Sequence, residues 1–395
     1  MADRQDAVDP AALEALAQLR HAEPHALLGP HRDGEELVVR AILPGAQEVR
    51  LEPEGAASVP MHHLTGGIFE GRLPLGATAP IPQYRVRWSD AQGQPQQMED
   101  PYRFSPTLGE LDLHLIGEGR HERLWETLGA RPRRHEDHEG VAFAVWAPNA
   151  EGVSVVGDFN GWDGRRHMMR SLGGSGVWEL FVPGLAAGAL YQFELRPRGG
   201  GPPMMKADPL ARRTEAPPAQ ASIVEGPDIF VWGDDAWMQA RATRDAISAP
   251  MSIYELHLGS WRRVVEEGDR PLTYRELAPV LADYVTRLGF THVEFLPLAE
   301  HPYGPSWGYQ VGAYYAPSAR FGTPDDLRAL VDHLHQRGIG VLVDWVPAHF
   351  PRDIHLLGRF DGTALYEHAD PRRGTQPDWG TLVFDYGRNE VQNFL

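Results

Sequence analysis

The sequence predicts a multidomain protein: two β-sandwiches in succession, then the opening of a parallel β/α fold. Three observations carry this. A set of short alternating strands occurs twice, about one hundred residues apart. After Met251 the apolar period switches from two to helical. Finally, Val341-Leu-Val-Asp344-Trp-Val-Pro-Ala-His349-Phe350 runs three apolar β-formers into a carboxylate. An ionised Asp inside a buried strand is costly unless paired, so Asp344 marks a strand end that has a use for it.

Composition sets the outer bounds. With 395 residues, 42% hydrophobic and 23% charged, the chain can bury a large core in two or three domains. Its net charge of 37 − 54 = −17 argues against nucleic acid and against an anionic membrane surface. It has no Cys, hence no disulfide framework and no thiolate chemistry. Met1 to Pro10 has no apolar core of a secretory signal, and no run of about 18 apolar residues exists to span a membrane. Gly 42 and Pro 34 suit a loop-rich, partly β protein.

Ala11 to Arg20 reads as a short amphipathic helix. From about Gly34 to Ala236, alternating runs such as Leu37 to Leu43 and Val141 to Trp146 are broken by Pro, Gly and Asn. That is the pattern of β-sandwiches. Leu37 to Leu51 aligns with Val141 to Val156, each a strand, Pro-x-Ala and a second strand. Gly67-Ile-Phe-Glu aligns with Gly176-Val-Trp-Glu, and Gln83 to Trp88 with Tyr191 to Leu195. Each copy finishes on Asp-Pro, at Asp100 and Asp208. A chance similarity of strand spacing is the alternative to a true repeat. A Pro/Ala-rich linker, roughly 215–250, follows.

Ser252 to Leu258 is a predicted strand. Thr273-Tyr-Arg-Glu276 has capping-box spacing, and Leu277, Val280, Leu281, Tyr284 and Leu288 form the face of a helix stopped by Gly289. Pro279 fits that helix poorly beyond its first turn. Thr291 to Pro297 is the second strand. Thr323-Pro324 opens a second helix with Leu327, Leu330, Val331 and Leu334 inward and Gly338 as its stop. Ile339 to Val346 is the third strand. The order β-α-β-α-β with nearly all-apolar strands predicts a parallel sheet buried on both faces.

In a parallel barrel the working residues sit at the strands' C-terminal ends. Here those ends meet Gly259-Ser-Trp261, the aromatic loop His301 to Gln310 with Trp307 and Tyr309, and Asp344 with His349. A mouth rich in Trp and Tyr with carboxylates and His suits a sugar polymer, whose rings offer C–H faces and hydroxyls. Blander readings stand beside this one. Asp344 could cap a turn, His349 could be a satisfied loop His, and Trp307 and Tyr309 could pack their loop. Asp158-Phe-Asn-Gly-Trp162 could be an ordinary turn with a core Trp instead of a glucan contact. His62-His63 and His333-x-His335 do not read as metal sites, because helical positions i and i+2 face apart.

The combination Tyr254-Glu-Leu-His-Leu-Gly-Ser-Trp-Arg-Arg263, Glu300-His-Pro302, Trp307-Gly-Tyr-Gln310, Asp344 to Phe350 and Leu365-Tyr-Glu-His368 closely resembles bacterial 1,4-α-glucan (glycogen) branching enzymes of the α-amylase superfamily. The run Asp370 to Leu395 continues the match. The resemblance implies an immunoglobulin-like β-sandwich over 1–120, a second sandwich of the glucan-binding type over 121–235, and the first three units of a (β/α)8 TIM barrel over 250–395. It implies a transferase that cleaves α-1,4-glucan through a covalent glycosyl-enzyme and passes the chain to a 6-hydroxyl.

Tyr309, Asp344 and His349 match the family's sugar-contacting residues at the donor subsite, with Trp307 beside them, and Trp162 is a possible glucan contact in the second sandwich. The nucleophile, the acid/base and the third carboxylate match nothing here and are expected beyond Leu395. The chain alone is therefore expected to be inactive and poorly soluble. No metal or organic cofactor is implied. The implied partner is glycogen or another α-1,4-glucan, the location cytoplasmic, and the full-length form a monomer. Two alternatives remain: a non-catalytic glucan-binding fragment, and a fragment of a related α-glucan hydrolase.

Overall fold

A computed structural model describes residues 8–245 and 247–395. They form two compact units. The first runs to Lys206 and adds Arg359–Leu365 and Gly387–Phe394; the second holds Ala207–Gly358 and Tyr366–Tyr386.

The first unit begins with helix α1 (Pro10–Ala17), shorter than expected at its C-terminal end and capped by Asp9, whose side chain accepts from Ala11 N at 2.9 Å. Eight strands follow: β1 (Gly29–Asp33), β2 (Glu36–Ile42), β3 (Gln47–Pro53), β4 (Val59–Pro60), β5 (His62–His63), β6 (Ile68–Pro74), β7 (Tyr84–Ser89) and β8 (Pro95–Glu99). They pair as two sheets, β1-β2-β6-β5 and β4-β3-β7-β8. Leu37 and Val39 of one sheet share a core with Leu51 and Val86 of the other. Apolar residues alternate along β7, as one buried face requires.

The second sandwich repeats this plan. Its strands are β9 (Gly129–His135), β10 (His138–Trp146), β11 (Ala150–Gly157), β12 (Arg170–Ser171), β13 (Val177–Pro183), β14 (Leu190–Pro197) and β15 (Met204–Lys206). The sheets are β12-β13-β10-β9 and β11-β14-β15. Strands β2, β3, β6 and β7 thus correspond to β10, β11, β13 and β14, the alignment read from sequence.

Local geometry repeats as well. Leu43 N donates to Gly67 O at 2.7 Å, and Ala147 N to Gly176 O at 2.9 Å. Both glycines have positive φ, and a Cβ would strike Pro44 at 2.9 Å or Pro148 at 2.7 Å. Only Gly fits either place. The closing aspartates cap alike: Asp100 accepts from Tyr102 N at 2.9 Å, and Asp208 from Leu210 N at 2.8 Å.

In the second unit, β16 (Ile253–Leu256), β17 (His292–Phe295) and β18 (Gly340–Val343) form a parallel sheet in that order. Helices α2 (Tyr274–Leu288) and α3 (Pro324–Gln336) connect them. Both capping boxes form: Thr273 with Glu276 and Thr323 with Asp326. Pro279 lies inside α2 on its exposed side, where the carbonyl it leaves unbonded can reach water.

Four expectations are corrected. Leu288 is exposed, and Val285 completes the buried stripe with Leu277 and Leu281. The strand expected to end at Leu258 stops at Leu256, and Leu258–Trp261 turns into helix. The linker contains a helix, Asp235–Thr243, tied down by Asp234 accepting from His335 at 2.7 Å and by Trp237 stacked on His335. The sheet is not buried throughout: β18 is its edge, and Leu342 and Val343 are 36% and 57% exposed. An edge strand has no neighbour to cover those side chains.

Candidate functional site

Strand ends β16, β17 and β18 converge in the second unit, and the loop after β17 is anchored at its root. Its root is a short ladder, Ala299–Glu300 against Ala313–Pro317. Glu300 is buried there. It accepts from His301 N at 2.8 Å and Ala319 N at 2.7 Å, and it pairs with Arg320. Burial raises its pKa, and Arg320 opposes the shift.

At the loop's tip, Trp307 and Gly308 both have positive φ, and a Cβ on Gly308 would lie 2.5 Å from Pro297 O. This backbone turns Trp307 and Tyr309 outward, 50% and 37% exposed. Trp307 lies nearly parallel to His257, with ring centroids 5.2 Å apart. They do not pack the loop's interior.

The chain continues the β18 ladder one residue, since Asp344 N donates to Phe295 O at 3.0 Å. That places the Asp344 carboxylate at the strand's end, where Tyr309 OH donates to its Oδ2 at 2.6 Å. This hydrogen bond pushes the Tyr309 hydroxyl up to about 12. The pair holds two residues 35 positions apart in one geometry.

His349 stands elsewhere in the same unit. It is buried, pairs with Val383 in a short ladder and leans on Trp379 with centroids 4.9 Å apart. Its Nδ1 has no partner, so it is not a satisfied loop histidine; burial lowers its pKa and keeps it neutral at pH 7. No hydrogen bond joins it to Tyr309 or Asp344 among the described residues. Two tyrosines clamp the segment before it: Tyr314 OH donates to His349 O at 3.1 Å, and Tyr386 OH to Pro347 O at 2.7 Å.

The structure thus joins Tyr309 with Asp344, sets Trp307 on His257, and leaves His349 with Trp379. His257, Trp345 and Trp379 were not singled out as site residues. Trp345 and Trp379 are each 59% exposed; Trp345, next to Asp344 in the sequence, was the available signal, while Trp379 meets His349 only through the fold. Among the described residues, no cluster of three or more His, Asp or Glu is arranged to hold a metal.

In the first unit, Trp162 is a surface side chain, 37% exposed, whose Nε1 donates to Asp158 Oδ1 at 2.8 Å. Asn160 anchors its turn from inside, accepting from Gly157 N and donating to Val155 O, both at 3.0 Å. No described helix is long and apolar enough to cross a membrane.

Three family models match the chain. Residues 9–102 match the N-terminal domain of alpha-1,4-glucan branching enzyme GlgB, 127–211 match carbohydrate-binding module 48, and 281–360 match the alpha amylase catalytic domain. The matches together define an α-amylase-type arrangement, a carbohydrate-binding module followed by part of a catalytic domain. The 1,4-alpha-glucan branching enzyme GlgB of Myxococcus xanthus is 60% identical over 386 residues, covering 98% of this chain and 52% of that protein. That of Thermobifida fusca is 56% identical over 391 residues, covering 98% and 50%. The chain is similar to these enzymes along nearly its whole length, and it spans about half the length of the curated relatives it matches. A pullulanase type I from Bacillus subtilis, solved with maltose, superposes with a TM-score of 0.53 at 18% identity. The match covers 93% of this chain and 53% of that one, and it supports the fold alone.

Proposed function

We propose that this chain is the N-terminal half of a glycogen branching enzyme of the (β/α)8-barrel type, working on α-1,4-glucan in the cytoplasm. We divide it as in the sequence reading: sandwiches over 1–120 and 121–235, then the start of the barrel over 250–395. The Tyr309–Asp344 hydrogen bond at the strand ends carries the reading. It holds a phenol ring at the mouth beside exposed Trp307, ready to lie against a pyranose. Asp344 orients that ring and accepts from a sugar hydroxyl. His349, neutral with Nδ1 unused, offers a further hydrogen bond.

The reaction cleaves the C1–O4 bond with a carboxylate attacking C1 while a carboxylic acid protonates the departing O4. A 6-hydroxyl then displaces the enzyme carboxylate from C1 and returns its proton, giving an α-1,6 branch with retention. We assign neither of those carboxyl groups to this chain. Its share is binding and orientation, through Tyr309, Asp344, His349 and Trp307, and through Trp162 on the module.

Two measurements test this. The chain alone should retard on a glycogen affinity gel but leave the iodine absorbance of amylose unchanged; new α-1,6 linkages by NMR would overturn the division of labour. In a full-length enzyme carrying this half, Asp344→Asn should lower kcat/KM on amylose by more than about 100-fold, or roughly 3 kcal/mol. Unchanged kcat/KM would remove Asp344 from the site. Exposed Leu342 and Val343 on the edge strand also lead us to expect concentration-dependent self-association of the chain alone, readable by light scattering.

A further inference from the structure

The unit that contains both sandwiches has a cavity of about 400 Å3, a volume ordinary for ligand sites, which run to roughly 300–1,000 Å3. Trp162 is not in its lining. Trp88, Met98, Phe159 and Val182 supply apolar surface, and Arg85, Gln97, Glu99, Arg166 and His167 supply polar groups. Half of this lining comes from the first sandwich, through β7, β8 and Leu43, and half from the second, so neither sandwich alone has the site.

The polar groups divide into satisfied and unsatisfied. Arg85 Nε donates to Glu99 Oε1 at 2.6 Å, which neutralises that pair. Arg166 makes no ion pair among the described residues, and its Nε is buried without an acceptor. Arg166 is in the cavity lining, so the rest of its guanidinium can meet an oxygen-bearing occupant. His167 Nδ1 bonds the Asn160 amide at 3.0 Å, and the Nδ2 of that amide also donates to Val155 O. His167 Nδ1 is then the acceptor, which leaves the ring proton on Nε2 as a second donor. Glu99 and the side-chain oxygen of Gln97 accept.

A cavity with donors, acceptors and an aromatic-lined floor suits a ligand whose groups both donate and accept and whose faces carry C–H. Sugar hydroxyls and pyranose faces meet that description. A free anion fits less well, because the Glu99 carboxylate stands in the wall and the Asp163 carboxylate already lies within electrostatic reach of Arg166. We propose that this cavity is a second glucan-binding site, taking α-1,4-linked glucose units independently of Trp162. The proposal rests on the α-glucan reading above. It gives the first sandwich a part in holding the polymer, where the barrel and the module alone were candidates.

Three variants of the whole chain test it. Arg166→Leu removes the orphan donor, Gln97→Ala trims an exposed wall residue, and Leu185→Trp fills space in the lining. Gln97 is at the surface, so at least that variant keeps the fold; melting curves check the other two. Maltoheptaose affinity should fall about threefold to tenfold in each, the worth of one or two hydrogen bonds. Adding Trp162→Ala should weaken only the binding that remains at the module and leave the cavity's own affinity unchanged, as independent sites require. Wild-type affinity in the folded variants would overturn the cavity while leaving the glucan reading intact. No binding of glycogen or maltoheptaose by the wild-type chain would overturn both. Protection of the melting temperature by inorganic phosphate but not by maltoheptaose would also overturn the proposal and make the cavity an anion site.

Discussion

The two sandwiches share strand order, glycine–proline contacts and closing aspartates, yet they are covered and decorated differently. The counterparts β2 and β10 are both buried on both faces, but β6 leaves Arg72 and Pro74 exposed where its counterpart β13 is buried along nearly its whole length. The segment around Phe104 lies on the outer face, packing Phe104 on Phe181 with centroids 4.9 Å apart. Beneath it is a buried ion pair, Arg170 Nε to Glu179 Oε2 at 2.9 Å, closed by Thr107 Oγ1 at 2.7 Å and Phe104 O at 3.0 Å. The equivalent carboxylate in the first copy, Glu70, meets an equally buried arginine, Arg40 of β2, but is itself 16% exposed and shared with surface Arg72. Between β11 and β12 the second copy also carries the Asp158–Trp162 turn, where the first has Glu54 to Ser58 without an aromatic. One frame thus holds two surfaces, and function sits on the loops and covers that differ.

The largest test of that contrast is the buried pair. Glu179→Ala leaves Arg170 charged and unpaired, so it should cost about 3–5 kcal/mol. Glu70→Ala should cost less, because the Glu70 carboxylate is 16% exposed where Glu179 is fully buried, so water already screens it. Equal losses in denaturant melts would erase the distinction between the covers.

Next is Asp100, fully buried and accepting from Tyr84 OH at 2.7 Å. Burial pushes its carboxyl up to about 6 despite that hydrogen bond. The folded state then binds more protons than the unfolded one between about pH 4 and 6, so stability falls as pH rises through that window, by ~2 kcal/mol. Asp100→Asn should flatten the pH profile of the melting midpoint, and an unchanged slope would assign it to another group.

Gly67→Ala and Gly176→Ala should each cost about 1–2 kcal/mol for a left-handed Ala, with the proline clash added. Similar losses confirm that the repeat extends to its turns; a loss at one alone restricts it to strand order.

The smallest stability effect is expected at Trp162→Ala, within about 0.5 kcal/mol, since the ring lies on the surface. Its glycogen affinity should nonetheless drop about tenfold, or 1.4 kcal/mol. Loss of stability without loss of binding would make Trp162 a packing residue.

Much of this architecture was legible because it rests on local chemistry. Thr273 with Glu276, Thr323 with Asp326, and the stops at Gly289 and Gly338 are each set within a few residues. The repeat was legible because Pro-x-Ala, Gly and Asp-Pro recur in register. The helix Asp235–Thr243 was hidden by its surroundings: a nine-residue segment with no buried residue has no apolar stripe to read. Leu288 was misplaced because its spacing fits the stripe while the helix ends on that residue, with Gly289 as its cap. At the site, Tyr309, Trp307, Asp344 and His349 were picked out by type and by their place after strands. Their partners His257 and Trp379 were not, since neither contact is local.

The sequence alone determined the order of modules, the strand that ends on Asp344 and the aromatic loop before it, because period, capping and turn chemistry act over short distances. Tertiary structure decided which of those residues meet. Tyr309 reaches Asp344 because two parallel strands end side by side, and His349 goes to Trp379 because a short ladder draws it there. Arg166 came to line a cavity with Gln97 only when two sandwiches closed on each other, a pairing across about seventy residues that no periodicity records.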